Sequence, residues 1–577
     1  MALALLGLGL GAGRLEAEPY PHRWYYYQVN LAEPRNLEAA IALADRAARA
    51  GLNGMVLADA KFMTLAKYRL DDPKGTYAAH VRSLLAACGR AGIEVIPAIQ
   101  TVSKAHGVLV YDPNLAEGFE VRDAVFEVRG GQARVAPDPA VRIADGGFES
   151  FTGPRFTDWR YQDDPGKATL PDPAVRRSGR SSIRLEPAGA ARLGQCRINQ
   201  RLGVKPHRYY RVRVWLRTEG LQPAGAFKLA VSADANGQER PLTFARFDVR
   251  PTQEWTPVEA FFNSMGYEEV TLHVGLWRAQ GGRAWLDDAE IAEAGLLNVL
   301  RRPGCPLTVR GEDGTAGFVE GRDFARIEDR HLGVTGGQAG VFNTDHEPPA
   351  IRLLRPLPDG TRLRVSFHHA LTINGRQVDV CLTEPEADRI LEDQVRRLDR
   401  LLGSPKRYLL GYDELRQAGS CAACKAAART PGELLAGHVR RTTAMMRRLR
   451  PDVELMVWND MFDPTANARK DYYLVDGTLE GSWAGLPGEV LVCNWSDERL
   501  EESLKFFDGL GLAQIVSVDY DRAPDAPART RAALGLLDRI GKARGTMYTT
   551  WTGDYRHLEE AGRLAAAHAA ARPIRRD

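Results

Sequence analysis

The chain has no long apolar run, little net charge and few cysteines, and each shortage excludes a class. Its apolar fraction is 44% over 577 residues, enough for real cores and too low for a membrane protein. The one apolar stretch near the start, in MALALLGLGLGAGRLEAEP, is too short to span a bilayer as a helix. It has the look of an export signal, yet no basic residue precedes it. Residues 1–18 therefore read as a signal peptide or a disordered tail, and the signal reading implies a secreted or periplasmic protein. Net charge is +3 with both signs interspersed, which gives no nucleic-acid footprint. The Arg440-Arg441 and Arg447-Arg448 pairs fall on predicted helix, where solvated faces account for them. Seven cysteines, an odd and scattered set, exclude a disulfide scaffold. Cys421 and Cys424 form a single C-x-x-C, half a structural zinc set; a knuckle, a disulfide and two plain thiols all fit it. No Gly-rich dinucleotide fingerprint follows any predicted strand.

The chain is long enough for several domains. WYYYQV at 24–29, NGMVLAD at 53–59 and IEVIPAIQ at 93–100 read as buried strands, separated by amphipathic helices over 37–51 and 78–92. This is the grammar of parallel βα units. From about 119 to 372 helical periodicity disappears. Short alternating runs rich in Val, Phe, Tyr and Trp, broken by Gly, Pro, Asn and Asp, read as all-β, with a division near 296. After 372 the βα pattern returns: helices over 385–403, 431–450 and 528–545, one beginning at DERLEESLKFF, and strands at 408–410, 453–460, 489–495, 514–521 and 546–551. Three strands before the all-β stretch and five after it make eight. The expected fold is α/β: a (β/α)8 TIM barrel interrupted after its third strand by an all-β insertion, a jelly-roll β-sandwich plus a small β unit. The expected boundaries are 19–118 for the first barrel part, 119–295 for the sandwich, 296–372 for the small unit and 373–577 for the second barrel part.

In a barrel of parallel strands chemistry gathers at the strands' C-terminal ends. Those ends carry Gln100 and Thr101 with His106 nearby, Asp413 and Glu414, Trp458 and Asp460, Asn494 and Trp495, Asp519 and Tyr520, and Trp551 with Asp554. Adjacent carboxylates repel when both are ionised, which separates their pKa values; the plainer reading is an Asp helix cap followed by an exposed Glu. Three tryptophans at equivalent strand ends suit a sugar, whose C–H faces stack on rings and whose hydroxyls suit carboxylates. Trp483 falls in the loop before the sixth strand and is a candidate for the rim.

GYDE at 411–414, WND at 458–460, VCNW ending at Trp495, VDYD containing Tyr520, and Trp551 on the last strand appear in order. In this ordered set the chain resembles the family 20 glycoside hydrolases, the exo-β-N-acetylhexosaminidases, over about 300 residues of the two barrel parts. The resemblance implies substrate-assisted retaining hydrolysis, in which the sugar's own 2-acetamido oxygen attacks the anomeric carbon. It assigns Glu414 as acid and base, Asp413 to the acetamido N–H, and Tyr520 to the acetamido oxygen. Trp458, Trp495 and Trp551 would pack around the sugar, Asp460 would bond its hydroxyls, and His106 would match the family's strand-three histidine. Catalysis by this route needs no cofactor. The family's strand-one arginine is missing: Arg23 lies at the wrong end of its strand, leaving Gln28 or Asn30 in that place. The family's usual N-terminal α/β domain is missing as well.

GGFES at 146–150, SGRSSIRLEP at 178–187, YYRVRVWLRT at 209–218 and WLDDAEI at 285–291 resemble carbohydrate-binding modules of the family 4, 9 and 22 type. That resemblance offers Glu149 and Asp288 for a structural calcium ion, with turn hydrogen bonding as the alternative, and Trp159, Trp255, Trp277 and Trp285 as core or sugar platform. The implied partner is an N-acetylhexosamine-containing glycan, with no nucleic acid and no membrane span. Two other readings stand beside it. One is a retaining glycosidase for another sugar, with Asp460 or Glu480 as nucleophile about 5 Å from the acid. The other is a non-catalytic glycan-binding protein.

Overall fold

The computed structural model describes residues 20–571, apart from 68–74, 105, 188–193, 244, 374–376, 496–497 and 522–524. The leader-like residues 1–18 lie outside the described residues.

Eight parallel strands close into a barrel: β1 (His22–Gln28), β2 (Gly54–Ala58), β3 (Glu94–Ala98), β4 (Arg407–Leu409), β5 (Glu454–Trp458), β6 (Leu491–Asn494), β7 (Ala513–Asp519) and β8 (Ala543–Thr549). β8 pairs back onto β1, with His22 opposite Gly545. Around the strands lie helices α1 (Pro34–Arg49), α2 (Thr76–Ala91), α3 (Pro385–Leu402), α4 (Pro431–Leu449), α5 (Leu500–Gly509), α6 (Ala526–Leu537) and α7 (Leu558–Ala571). Both faces of each strand are covered, which is why the strands read as continuous apolar runs rather than alternating ones. Trp24, Tyr26, Val56, Ile96, Leu409, Met456, Trp458, Cys493, Ile515 and Met547 fill the inside. Alternate neighbours such as Tyr25, Met55, Val457, Val492 and Val516 pack outward against the helices. The helix ends follow local chemistry. Thr430 and Glu433 form a capping box at the start of α4, with Pro431 in its first turn. α2 and α3 stop at left-handed Gly92 and Gly403.

In chain order the antiparallel sheets fall between β3 and β4. One five-stranded sheet contains Tyr209–Gln222 between Gln253–Asn263 and Gly281–Glu293, and a second contains Glu269–Leu276 between Phe227–Ala235 and Cys196–Gly203. A third sheet of six strands pairs Phe119–Arg129 with Arg362–His369, Phe119 opposite His369. This pairing departs from the boundaries expected at 119 and 296: the first strand of the β-rich stretch joins its last. All three sheets share one apolar core.

The two ends of the β-rich stretch meet beside the barrel. Ala116 bridges Val380, Glu117 N–H donates to Asp379 O at 2.8 Å, and Cys381 N–H donates to Leu115 O at 3.0 Å. The sheets also touch the barrel mouth. Arg240 donates to the carbonyls of Tyr473 (2.8 Å) and Val475 (2.7 Å) in the segment after β5. Among the described residues, no helix is long and apolar enough to cross a membrane.

Candidate active site

The end of β4 is bent by three residues in the left-handed region: Gly411 (φ +68°), Tyr412 (+74°) and Glu414 (+52°). A Cβ on Gly411 would sit 2.8 Å from Ile99 O, so this position needs glycine. Left-handed backbone at non-glycine residues is costly and persists where surroundings over-determine it. Here the buried Tyr412 is anchored outward, its hydroxyl 3.0 Å from His438 Nδ1 on α4. Asp413 and Glu414 are thereby left at the barrel mouth.

Lys104, from the segment after β3, joins the two acids. Its Nζ lies 2.7 Å from Asp413 Oδ2 and 2.9 Å from Glu414 Oε2. Arg416 Nη2 lies 2.9 Å from Glu414 Oε1. Burial alone would raise the Glu414 pKa, but Lys104 and then Arg416 outweigh it and hold the carboxyl below its ordinary value. Burial likewise opposes the charge on Lys104, and Asp413 and Glu414 reverse that and raise its pKa.

Behind this pair sits Asp460, 1% exposed. It accepts from Glu414 N–H (2.8 Å), Asn467 Nδ2 (2.8 Å) and Trp495 Nε1 (3.2 Å). Burial first, and the charge of Asp413 second, push its pKa up to about 7. Asp460 thus positions the acid loop and the Trp495 ring from within. Asp379 does similar work from the other side. Its carboxylate accepts from the N–H groups of Lys104 (2.9 Å), Arg416 (2.7 Å) and Gln417 (3.0 Å).

An aromatic wall stands beside the acids. Ring centroids are 5.9 Å apart for Tyr26 and Trp458, 5.3 Å for Tyr26 and Trp551, and 6.1 Å for Trp458 and Trp551. Trp458 is buried and Trp551 is 46% exposed, a graded wall from barrel interior to solvent. Burial, then Asp413, raises the Tyr26 pKa, which puts this phenol within the field of the acid pair. Asp521 holds the Trp551 loop. It accepts from the backbone N–H groups of Trp551 (2.6 Å) and Thr552 (3.1 Å) and from the Thr552 hydroxyl (2.7 Å).

Several expected site residues lie elsewhere. Tyr520 faces the helices, stacked on Tyr548 at 3.9 Å with its hydroxyl bonded to Thr530 of α6. Asn494 also points outward, its Oδ1 accepting from Ser503 of α5 at 3.0 Å. Both are corrections with one cause. Cys493 and Trp495 face the barrel interior and Val516 and Val518 face the helices, so strand alternation turns Asn494 and Tyr520 outward. Trp483 packs edge-on against Phe506 of α5 at 5.3 Å, in the helical layer and off the rim. His106 opens a short turn packed on the β-rich stretch, where a Cβ on Gly340 would lie 2.7 Å from its Nδ1. Gln100 is exposed where its backbone passes Gly411. Glu480 is exposed, and its carbonyl abuts Gly432 at the start of α4. Lys104, Arg416, Tyr26, Asp379 and Asp521 were not singled out as site residues. Lys104 and Arg416 each stand two residues from a motif position, His106 and Glu414, and that proximity was the available signal.

In the sandwich, donors face both proposed calcium ligands. Glu149 accepts from Arg180 N–H at 2.9 Å, and Asp288 accepts from the Ser178 hydroxyl at 2.7 Å and from Arg177. Trp159 and Trp285 are buried, and Trp277 lies beneath Arg197 and Lys228. Among the described residues, one group of three or more ligating side chains converges closely enough for a metal: Glu117, Cys381, Cys421 and Cys424.

No protein-family model matches the sequence, and no curated protein sequence is similar to it. Among solved structures, a rhamnosidase from Novosphingobium sp. PP1Y is 12% identical with a TM-score of 0.33; the match covers 96% of this chain and 60% of that one. A CBM4 structure is 12% identical with a TM-score of 0.21, over 26% of this chain and 99% of its own. The CBM22-1 xylan-binding domain of Paenibacillus barcinonensis Xyn10C is 15% identical with a TM-score of 0.21, over 27% and 96%.

Proposed function

We propose that the chain is a glycoside hydrolase, and that its substrate is a terminal β-linked N-acetylhexosamine cleaved with retention by the substrate's own acetamido group. The observation that carries this reading is the pair Asp413–Glu414 at the end of a barrel strand, bridged by Lys104 and flanked by Tyr26, Trp458 and Trp551. Glu414 protonates the glycosidic oxygen and then activates water. Asp413 holds the acetamido N–H and stabilises the positive charge of the oxazolinium-like intermediate. Tyr26, rather than Tyr520, is the hydroxyl we assign to the acetamido oxygen. The rings take the sugar's apolar face.

In the free protein Glu414 is held ionised by Lys104 and Arg416. A sugar entering between Lys104 and Glu414 removes that contact. Burial, the largest single influence on Glu414, is then opposed by Arg416 alone and lifts the carboxyl toward a proton donor. The sealing of Asp460 by three donors and the outer position of Glu480 support the acetamido group over a protein nucleophile.

The test is hydrolysis of aryl β-N-acetylglucosaminide and galactosaminide beside the plain β-glucoside and β-galactoside, for wild type, Glu414→Gln and Asp413→Asn. Turnover confined to the acetamido substrates and lost in both variants supports the reading. Turnover of plain glycosides at a comparable rate overturns the acetamido mechanism and keeps the hydrolase. Absence of turnover with glycan binding retained overturns both.

A further inference from the structure

Cys421 and Cys424 lie in the segment that follows the acid pair, at the start of a short helix, Ala422–Ala426. Cys381 reaches them from 40 residues earlier in the chain, its Sγ 3.5 Å from Cys421 Sγ and 3.5 Å from Cys424 Sγ. Glu117 arrives from the strand entry on the far side of the β-rich stretch, its Oε2 3.7 Å from Cys424 Sγ. All four side chains are buried, and their ligating atoms lie within 4.8 Å of one another. Cys305 touches the group as well, in contact with Cys421.

This spacing matches a known coordination shape. Tetrahedral zinc with Zn–S bonds of ~2.3 Å places its sulfurs ~3.8 Å apart, close to the two observed separations. Cys424 N–H points at Cys421 Sγ at 3.5 Å, an N–H···S contact that stabilises a thiolate. The charge balance favours a cation too. A buried carboxylate needs a positive partner, and among the described residues Glu117 forms no ion pair. Arg302 is nearby, but its donors go to Asn114 O (2.8 Å), Ala116 O (3.0 Å) and Glu384. Glu117 Oε1 is occupied by the N–H groups of Ser420 (2.7 Å) and Cys421 (2.9 Å), leaving Oε2 toward the sulfurs.

We propose that Cys381, Cys421 and Cys424, with Glu117 as fourth ligand, form a structural zinc site. It is a closed site: four protein ligands leave no position for substrate, so its work is mechanical. It ties together three segments that are far apart in sequence, at the seam between the barrel and the β-rich stretch. Asp379, which holds the backbone of Lys104, Arg416 and Gln417, stands two residues before Cys381. The clasp therefore anchors the frame of the acid loop from outside the mouth. Binding releases the thiol protons to solvent and involves no redox change. The inference does not depend on the glycosidase reading.

The experiment is metal analysis of the purified full chain by plasma mass spectrometry. The expected result is about one zinc per chain, falling to less than about a tenth in Cys381→Ser and Cys421→Ser and unchanged in Cys88→Ala and Cys493→Ala. Ligand variants of a structural site can fail to fold, so the wild type carries a second measurement. Titrating its thiols with a mercurial in the presence of a chromophoric chelator should release zinc in step with modification. Cobalt exchanged into the site should show the visible bands of a tetrahedral thiolate complex. A folded wild type that is free of metal after growth in zinc overturns the proposal. So does an intact mass two hydrogens light, which would mean a disulfide within the group. Loss of zinc in Cys305→Ser with retention in Glu117→Gln overturns Glu117 as the fourth ligand.

Discussion

At the scale of single residues, the acid pair is governed by its neighbours rather than by its own chemistry. Replacing Lys104 by Met removes the stronger of the two cations that hold Glu414 ionised and leaves burial opposed by Arg416 alone. The alkaline limb of kcat/KM, where the acid Glu414 loses its proton, should then move to higher pH, by on the order of one unit, as a pH–rate profile would read directly. Tyr26 and Tyr520 make a paired prediction. Tyr26→Phe should lower kcat on acetamido substrates by about tenfold or more. Tyr520→Phe should leave kcat within about twofold and instead lower Tm, since its hydroxyl serves Thr530. The reverse pattern would return the acetamido contact to Tyr520. The placing of Asp413, Glu414 and Trp458 at barrel strand ends was legible because motif and strand end coincide. Tyr520 and Asn494 were misread because both faces of a barrel strand are buried. The apolar run then hides which residues point inward, and only counting parity from Cys493 or Ile515 recovers it.

At the scale of elements, the eight barrel strands were legible from their spacing, and the ends of several were not. The expected strand 453–460 stops at Trp458 because Asn459 takes helical angles and opens a turn over Asp460–Phe462. The sheet that joins Phe119–Arg129 to Arg362–His369 was hidden for a different reason: pairing across so many residues leaves no local mark. The loop carrying Trp551 is an element whose geometry depends on one side chain. Asp521→Ala removes the acceptor of two backbone N–H groups and two hydroxyls and should free the ring. The expected outcome is a rise in KM of about tenfold, with kcat changed far less. Steady-state kinetics checks it, and equal losses in kcat and kcat/KM would count against it.

At the scale of the whole molecule, buried carboxyls set how stability depends on pH. Burial raises both Asp460 and Glu293 to about 7, whereas in the unfolded chain such groups titrate near about 4. Between those values the folded state binds more protons, so the slope of unfolding free energy with pH is negative. Stability falls as pH rises through that window. On the acid side, Asp163 works the other way: burial would raise it, but Arg197 and Tyr161 hold it low, and its contribution disappears as pH drops through its folded pKa. Tm should therefore peak at about pH 4 and decline toward neutrality, with the decline reduced in Asp460→Asn. A Tm still rising at neutral pH would contradict the assignment.

The closure of the barrel across the β-rich stretch sets a schedule for synthesis. β3 meets its neighbour β4 through Ala98 and Leu409, and ribosomes add roughly 5–20 residues each second. The first three strands thus wait on the order of 15–60 s before the strand that covers their edge has been made. Throughout that interval Val56 and Ile96, destined for the barrel interior, have nothing across from them. During synthesis the chain thus carries an uncovered strand edge and apolar faces of the kind that favour aggregation.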